Sequence, residues 1–426
     1  MSYMKIVKVT PKSEEIERLC SRGIAPSPEI HDKVMKILAD IKIGGLPKAV
    51  EYAQKFDGLK GKNLRIPELA IAKAAAQASP ELQKALRQAI RNVRDFHENQ
   101  AEHSWLMEGK DGVVLGQRIR PMRRVGLYVP GGAGIYPSTV IMNAVPALVA
   151  GVEELVVVTP AKTGIHPSIA FVLQELGITE VYHIGGAQAI GLLAYGAKGI
   201  ERVDKIVGPG NVFAAVAKKE VFGTVDIDMV AGPSEILVLA DDSCDPDYVA
   251  ADLLSQAEHG SGFEAAICIT DNMETAQMIS ACVDVQVDAS PKHDLLEKTL
   301  GHYGRILVVK DWFDGVEIAN RIAPEHIEVQ TREAESMAAQ IDNAGAVFIG
   351  PWSSEPIGDY FAGPNHVLPT NGTARFFSPL GVYDFMKRMS IIHYTQKAVK
   401  KNGKAIATVA NTEGFIHHAA AVIKRM

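Results

Sequence analysis

Along the first hundred residues, apolar positions recur every three or four places, the period of a helix packed on one face. Pro28 to Ile43 has this spacing, with Pro28 suited to a first turn and Gly44-Gly45 to the stop. A second such pattern runs from about Pro80 to Glu102. Both predict helices laid against a sheet. From about residue 124 the period changes. Short apolar runs at Val125–Val129, Leu155–Val158, Glu180–Ile184 and Lys205–Val207 alternate with helical stretches starting near 139, 166, 187 and 211. A second set follows at Ile236–Leu239, Ala265–Ile269, Ile306–Val309, Ile327–Gln330 and Val347–Ile349, with helical patterns from about 246, 273, 291, 313 and 332. Strands that are apolar on both faces and separated by helices predict parallel sheets covered on both sides. The expectation is an α/β fold of two doubly wound units with a seam near residue 233. The last 45 residues show a strand and helix pattern with too little apolar surface for a core of their own, so they are expected to dock elsewhere.

Composition narrows the classes. At 426 residues, 47% apolar and 22% charged, the chain has the balance of a globular protein able to bury large cores. The net charge of −6 leaves no basic excess to neutralise phosphates, which argues against nucleic acid or an anionic membrane as partner. The most apolar window, 139–160, is interrupted by Asn143, Pro146, Glu153 and Glu154 and cannot span a bilayer. Four cysteines without CxxC spacing, and an N-terminal stretch without an apolar signal core, predict a reduced, cytoplasmic setting.

Four groups place a histidine near a carboxylate or carboxamide: Gln256 with His259, Glu325 with His326, Asp359 with His366, and Glu413 with His418. Imidazole and amide or carboxylate oxygens suit a borderline divalent cation such as Zn²⁺, and a histidine beside a carboxylate is also a common general base. Each group has a plainer alternative. Gln256 and His259, three apart, share a helix face, yet a helix C-terminus capped by Gly260 would have the same sequence. Glu325 and His326 are adjacent ahead of a strand and point in opposite directions, which suits two separate proton jobs but also an exposed corner. Asp359 and His366 lie in a Gly-, Pro- and Asn-rich loop whose polar groups could serve only its turns. Of His417 and His418, about 100° apart on a helix, at most one is expected to face a site.

Glycine-rich corners follow three strands of the first set: Tyr128-Val-Pro-Gly-Gly, Gly185-Gly-Ala-Gln188 and Gly208-Pro-Gly-Asn211. Doubly wound sheets bind ligands at such places. None fits G-x-G-x-x-G, so a nucleotide site and ordinary strand-to-helix turns both stay open.

Taken together, these segments resemble the histidinol dehydrogenase family. The block Ile227-Asp-Met-Val-Ala-Gly-Pro-Ser-Glu-Ile-Leu-Val-Leu-Ala240 through Glu258-His259 looks like its signature stretch. Further matches are Val125–Gly132, Tyr136-Pro-Ser, Gly185–Ile190, Gly208–Asn211, Ala323-Pro-Glu-His326 and Gly363–Thr370. Departures are Phe415, where Leu is usual, and Ala133, where Lys is common. The resemblance implies one Zn²⁺ per subunit held by Gln256, His259, Asp359 and His418, the last from the other subunit of a homodimer with shared active sites. It implies Glu325 and His326 as the catalytic pair, and Ser234, His366 and Glu413 as substrate contacts, with Gln256, His259, Glu325, His326, Asp359 and His418 also facing the substrate. Tyr128, Gln188 and Asn211 match NAD⁺ contacts.

The implied fold is two incomplete Rossmann-like domains plus small C-terminal dimerisation segments. Residues 1–20 with 127–233 would form the NAD side, 21–126 with 234–380 the zinc side, 381–401 a connection, and 402–426 a helix reaching the partner subunit. The implied reaction is the last step of histidine biosynthesis: zinc-dependent, four-electron oxidation of L-histidinol to L-histidine through L-histidinaldehyde, using two NAD⁺. The alternative is a zinc- and NAD-dependent dehydrogenase of another small polar alcohol, such as a sulfonated diol. A cysteine-based thiohemiacetal route is disfavoured by Cys268, inside an apolar strand, and by Cys244, in an acidic turn.

Overall fold

The computed structural model describes residues 2–23, 27–131 and 134–426. Gly132, which ends the Val125–Gly132 stretch, and Ala133 after it lie outside these residues. The strands are β1 (Lys5–Lys8), β2 (Trp105–Glu108), β3 (Val114–Pro121), β4 (Arg124–Tyr128), β5 (Glu154–Thr159), β6 (Glu180–His183), β7 (Lys205–Val207), β8 (Asp226–Ile227), β9 (Glu235–Ala240), β10 (Ala265–Thr270), β11 (Gly304–Val308), β12 (His326–Gln330), β13 (Ala346–Ile349) and β14 (Met386–His393).

Two sheets are wholly parallel, as the unbroken apolar runs require. One runs β6-β5-β4-β7-β8, and the other β1-β11-β10-β9-β12-β13. Strand by strand from β4, and again from β9, both follow the doubly wound order 3-2-1-4-5, with β1 added at one edge of the second. Strands β4, β9, β10 and β12 are buried along their whole length, because helices cover both faces. The α/β architecture with two doubly wound units and a seam near 233 is therefore observed.

The assignment of the N-terminal stretches is corrected. Residues 1–20 do not join the 127–233 unit: β1 pairs with β11, Lys5 opposite Arg305, at the open edge of the six-stranded sheet. Nor do the helices of 21–126 cover the six-stranded sheet. Helix Pro28–Phe56 buries Val34, Leu38 and Ile41 against Val156, Val158 and Ile190 of the five-stranded unit. Helix Pro80–Glu98 buries Leu86, Ile90 and Val93 on its other face, with Val125 and Leu127. Amphipathic helices go where a bare apolar face needs covering, and family-level boundaries do not specify which sheet that is. Gly44-Gly45 ends the first helical segment, as the sequence predicts, and a second segment follows directly. Gly45, at φ 54 and ψ −139, kinks the chain, and the second segment runs through Pro47 to Phe56.

The third sheet, β14-β3-β2, is antiparallel: β14 is the strand expected in the tail, while β2 and β3 have no counterpart in the sequence reading. It ties the tail to the body, with β14 paired along all of β3 from Met386–Pro121 to His393–Val114. Beyond it the tail forms two helices, Gln396–Thr412 and Ile416–Ile423, rather than one. No helix among the described residues is long and apolar enough to cross a membrane.

Candidate active site

The histidine and carboxylate groups gather at the amino ends of β9, β12 and β13. His326 is the first residue of β12 and stands in register with Ile236 of β9 and Ala346 of β13. Ser234 immediately precedes β9. Helix Pro246–Ala257 starts on Asp245, which caps it through the Asp247 N–H, and its last turn delivers Gln256. The helix ends before His259, so the two do not share a helix face. His259 sits in the following turn, its Nδ1 sharing a 2.8 Å hydrogen bond with Ser234 Oγ. Asp359 rides on a π-helical turn, Gly358–Ala362, a backbone irregularity frequent at functional sites. The turn is anchored on helix Pro80–Glu98: Asn92 donates to the Phe361 carbonyl at 2.7 Å. At Gly363, φ 117, a Cβ would lie 2.7 Å from the Asn92 oxygen, so only glycine fits.

The geometry converges on His326, which is 3% exposed. Its Nδ1 donates to the Glu235 carbonyl at 2.9 Å, which fixes the tautomer and leaves Nε2 facing the cluster. Nε2 lies 3.8 Å from Asp359 Oδ1 and 3.8 Å from Glu355 Oε1. His366 Nδ1 donates to the Asp359 carbonyl oxygen at 3.1 Å and lies 3.7 Å from its carboxylate. Ligand atoms of His326, Glu355 and Asp359 all fall within 4.8 Å of one another. His326 Nε2, Glu355 Oε1 and both amide atoms of Gln256 are buried without a hydrogen-bond partner. Several orphaned polar atoms around one point are costly unless a ligand completes them. The donor set, imidazole with carboxylate and carboxamide oxygens and no thiolate, fits a borderline divalent cation.

The charges respond to this crowding. Burial pushes the Glu325 carboxyl up to about 8, against the pull of His326. Burial opposes a charge on His326, but Glu325, Asp359 and Glu355 around it outweigh that and raise it to about 10. Burial and the charge of Asp359 push Glu355 up to about 8. Asp359 is the opposite case: burial raises it, and His326 and His366 more than reverse this, holding it well below the usual carboxylate range. Burial lowers the basicity of His366, as it does for His259, which solvent reaches at the rim. Both are therefore neutral near pH 7 and available as ligands or acceptors.

Glu355 was not anticipated. It stands four residues before Asp359 in Ser-Glu-Pro-Ile-Gly-Asp, a helical spacing that could have revealed it. Its backbone N–H is held by Glu328 at 2.7 Å, and its second oxygen accepts from Ser255 at 3.3 Å. Glu413 and His418 are not brought to this cluster by their own chain. Both are exposed on the tail helices, where His418 stacks on Phe415 at 4.9 Å. The cysteines are also elsewhere: Cys268 is buried inside β10, and burial with nearby aspartates pushes Cys244 up to about 11.

Tyr128, Gln188 and Asn211 line a different cavity, a cleft of about 1170 Å³ at the carboxyl ends of β4 to β7. The Tyr128 hydroxyl accepts the Gly186 N–H at 3.0 Å, Gln188 donates to Asp57 at 3.0 Å, and Asn211 caps helix Val212–Val221. Gly208 passes so close to Tyr128 that a Cβ would sit 2.2 Å from its carbonyl oxygen.

Comparison with known proteins agrees with this arrangement. The sequence profile of the family described as histidinol dehydrogenase matches residues 21–426. Histidinol dehydrogenase of Geobacillus kaustophilus (strain HTA426) is 47% identical over 395 residues, 92% of this chain and 93% of its own. That of Bacillus subtilis (strain 168) is 46% identical over 403 residues, 94% of each. The crystal structure of histidinol dehydrogenase from Elizabethkingia anophelis superposes with a TM-score of 0.94 at 34% identity, covering 100% of this chain and 98% of that one. A chain matched along nearly its whole length, in sequence and in fold, is an oxidoreductase that belongs to the histidinol dehydrogenase family.

Proposed function

We propose that the enzyme oxidises L-histidinol to L-histidine through L-histidinaldehyde, passing two hydrides in succession to two NAD⁺ bound in the Tyr128–Gln188–Asn211 cleft. The observation that carries the reading is His326: its tautomer is set by the Glu235 carbonyl, its Nε2 has no partner, and Glu325 stands beside it. With the charge of the surrounding carboxylates offset by a bound cation, His326 is neutral at Nε2 and takes the hydroxyl proton as the first hydride leaves, giving the aldehyde. Glu325, 3.7 Å from the His326 ring and buried enough to be poised near neutrality, takes a proton from the water that adds to the aldehyde, while His326 returns its proton to the aldehyde oxygen. His326 then removes a proton from the resulting diol as the second hydride leaves, giving the carboxylate. Ser234, bonded to His259, and His366, bonded to the Asp359 carbonyl, orient the substrate.

Gln256, His259 and Asp359 would hold one Zn²⁺, with His418 of a second subunit as the fourth ligand. Such an ion supplies a template for the substrate's amine and imidazole nitrogens and positive charge that offsets the surrounding carboxylates. A homodimer accounts for Glu413 and His418 lying on an exposed tail that carries Ile406, Val409, Phe415 and Ile416 on its surface.

The test is NADH formation from L-histidinol, before and after chelation and on zinc readdition. Two NADH per L-histidinol, lost on chelation and restored by zinc, are expected. Activity indifferent to a thorough chelation, or a single NADH per substrate, would refute the reading.

A further inference from the structure

Behind the cluster, a buried ion pair ties its parts together. Glu235 is 2% exposed and Arg22 4% exposed. Arg22 Nε donates to Glu235 Oε1 at 2.7 Å, and its Nη1 donates to the carbonyls of Leu19 at 2.9 Å and Ile322 at 3.1 Å. Glu235 Oε1 also accepts the Asn371 N–H at 2.8 Å, and Oε2 accepts the Glu325 N–H at 3.2 Å. In return the Glu235 N–H donates to the Glu325 carboxylate at 2.9 Å, and the Glu235 carbonyl accepts from His326 Nδ1 at 2.9 Å.

Three separate stretches of chain therefore meet on one residue: β9 behind Ser234, the corner Ala323–His326, and the far end of the loop that carries His366. The corner needs holding. Ala323 is fully buried at φ 47, in the left-handed region that residues with a Cβ disfavour, and Pro324 follows it. Arg22 takes the Ile322 carbonyl on one side of that strained residue, and Glu235 takes the Glu325 N–H on the other.

We infer that Glu235, held by Arg22, is the positioning residue for the Glu325–His326 pair. It sets the Glu325 carboxylate and the His326 ring relative to each other and to the His366 loop. It touches neither substrate nor cofactor. This rests on the roles proposed above for Glu325 and His326.

The substitution Glu235→Gln keeps the shape of the side chain but turns one acceptor oxygen into a donor, which then faces the N–H of Glu325 or Asn371. Turnover should fall about 10- to 100-fold, the scale expected when reacting groups shift by an ångström or so. Bound zinc should stay within about twofold, because its ligands are untouched, and KM for L-histidinol should change less than turnover does. Arg22→Met added to Glu235→Gln should cost little more than Glu235→Gln alone, since Arg22 acts through Glu235. If Glu235→Gln does not fold, the double variant removes both buried charges and serves in its place.

A folded Glu235→Gln or double variant with wild-type turnover would overturn the inference. So would a loss that follows zinc content, or an Arg22 effect that adds in full. His326→Asn, measured alongside, separates this from the parent reading. If His326→Asn turns over normally, the assigned roles fail. If it is inactive while the Glu235 variants behave as wild type, only the positioning inference fails.

Discussion

Glu355 presents a buried carboxyl oxygen 3.8 Å from Nε2 of His326, and neither atom has a hydrogen-bond partner. Such a pair is unstable as a closed structural contact and suits a ligand that enters between them. Glu355 also borders Asp359, and Ser255 and Glu328 hold it in place. Glu355→Gln removes the charge but keeps the volume. It should weaken zinc binding about 10- to 100-fold, the usual effect of removing a residue that supports the ligands. Competition with a chromophoric chelator measures this, and unchanged affinity would place Glu355 outside the metal environment.

Metal entry should release protons. Near pH 7 in the metal-free protein, Glu355, pushed up to about 8, is mostly neutral, and His326, raised to about 10, is a cation. A divalent ion among Asp359, Glu355 and His326 favours their deprotonated forms, so protons compete with it. Zinc affinity should therefore rise between pH 6 and pH 8. Calorimetry in buffers of different ionisation enthalpy should report net proton release, and affinity independent of pH over that range would contradict this sign.

The proposed sharing of sites predicts complementation. His326→Asn and His418→Ala chains, each inactive alone, should regain activity when unfolded together and refolded as a mixture. Each mixed dimer has one site with both lesions and one with neither, so random pairing gives roughly a quarter of wild-type turnover. No recovery in a mixture shown to contain mixed dimers would mean that each site takes its His418 from its own chain.

Away from the cluster, Lys218 and Asp228 form a buried ion pair that grips Gly208. Lys218 donates to the Gly208 carbonyl at 2.9 Å, and Asp228 accepts the Gly208 N–H at 2.7 Å. Lys218→Met leaves Asp228 buried without its partner and should cost about 3–5 kcal/mol in urea unfolding. Lys218→Met with Asp228→Asn should recover part of that loss. KM for NAD⁺ should rise in both, because the Gly208–Asn211 turn borders the cleft.

Much of this was legible in the sequence, for reasons specific to each part. The parallel strands showed because Val156–Val158 and Leu237–Leu239 are apolar on both faces, a pattern only a doubly covered sheet produces. Gln256, His259, Glu325, His326 and Asp359 stood out by residue type, and the fold brings them to one end of one sheet. The β2–β3 pair did not show, since Trp105–Glu108 is exposed throughout and carries no burial pattern. The edge strand Lys5–Lys8 could not be assigned to a sheet, because two half-buried residues between two exposed lysines say nothing about which edge they join. Arg22 and Glu235 went unnoticed for a different reason. Nothing local marks an ion pair between residues so far apart in sequence.

The account depends most on a division of proton work between neighbours, and separate assays of the two half-reactions test it directly. L-Histidinol and L-histidinaldehyde are supplied in turn with NAD⁺, and NADH formation is followed in the His326→Asn and Glu325→Gln variants at matched zinc content. His326→Asn should suppress both oxidations. Glu325→Gln should spare alcohol oxidation relative to aldehyde oxidation by about tenfold or more, within the usual range for a general base. Equal losses in both steps for Glu325→Gln, or a His326→Asn variant that still oxidises either substrate at the wild-type rate, would contradict it.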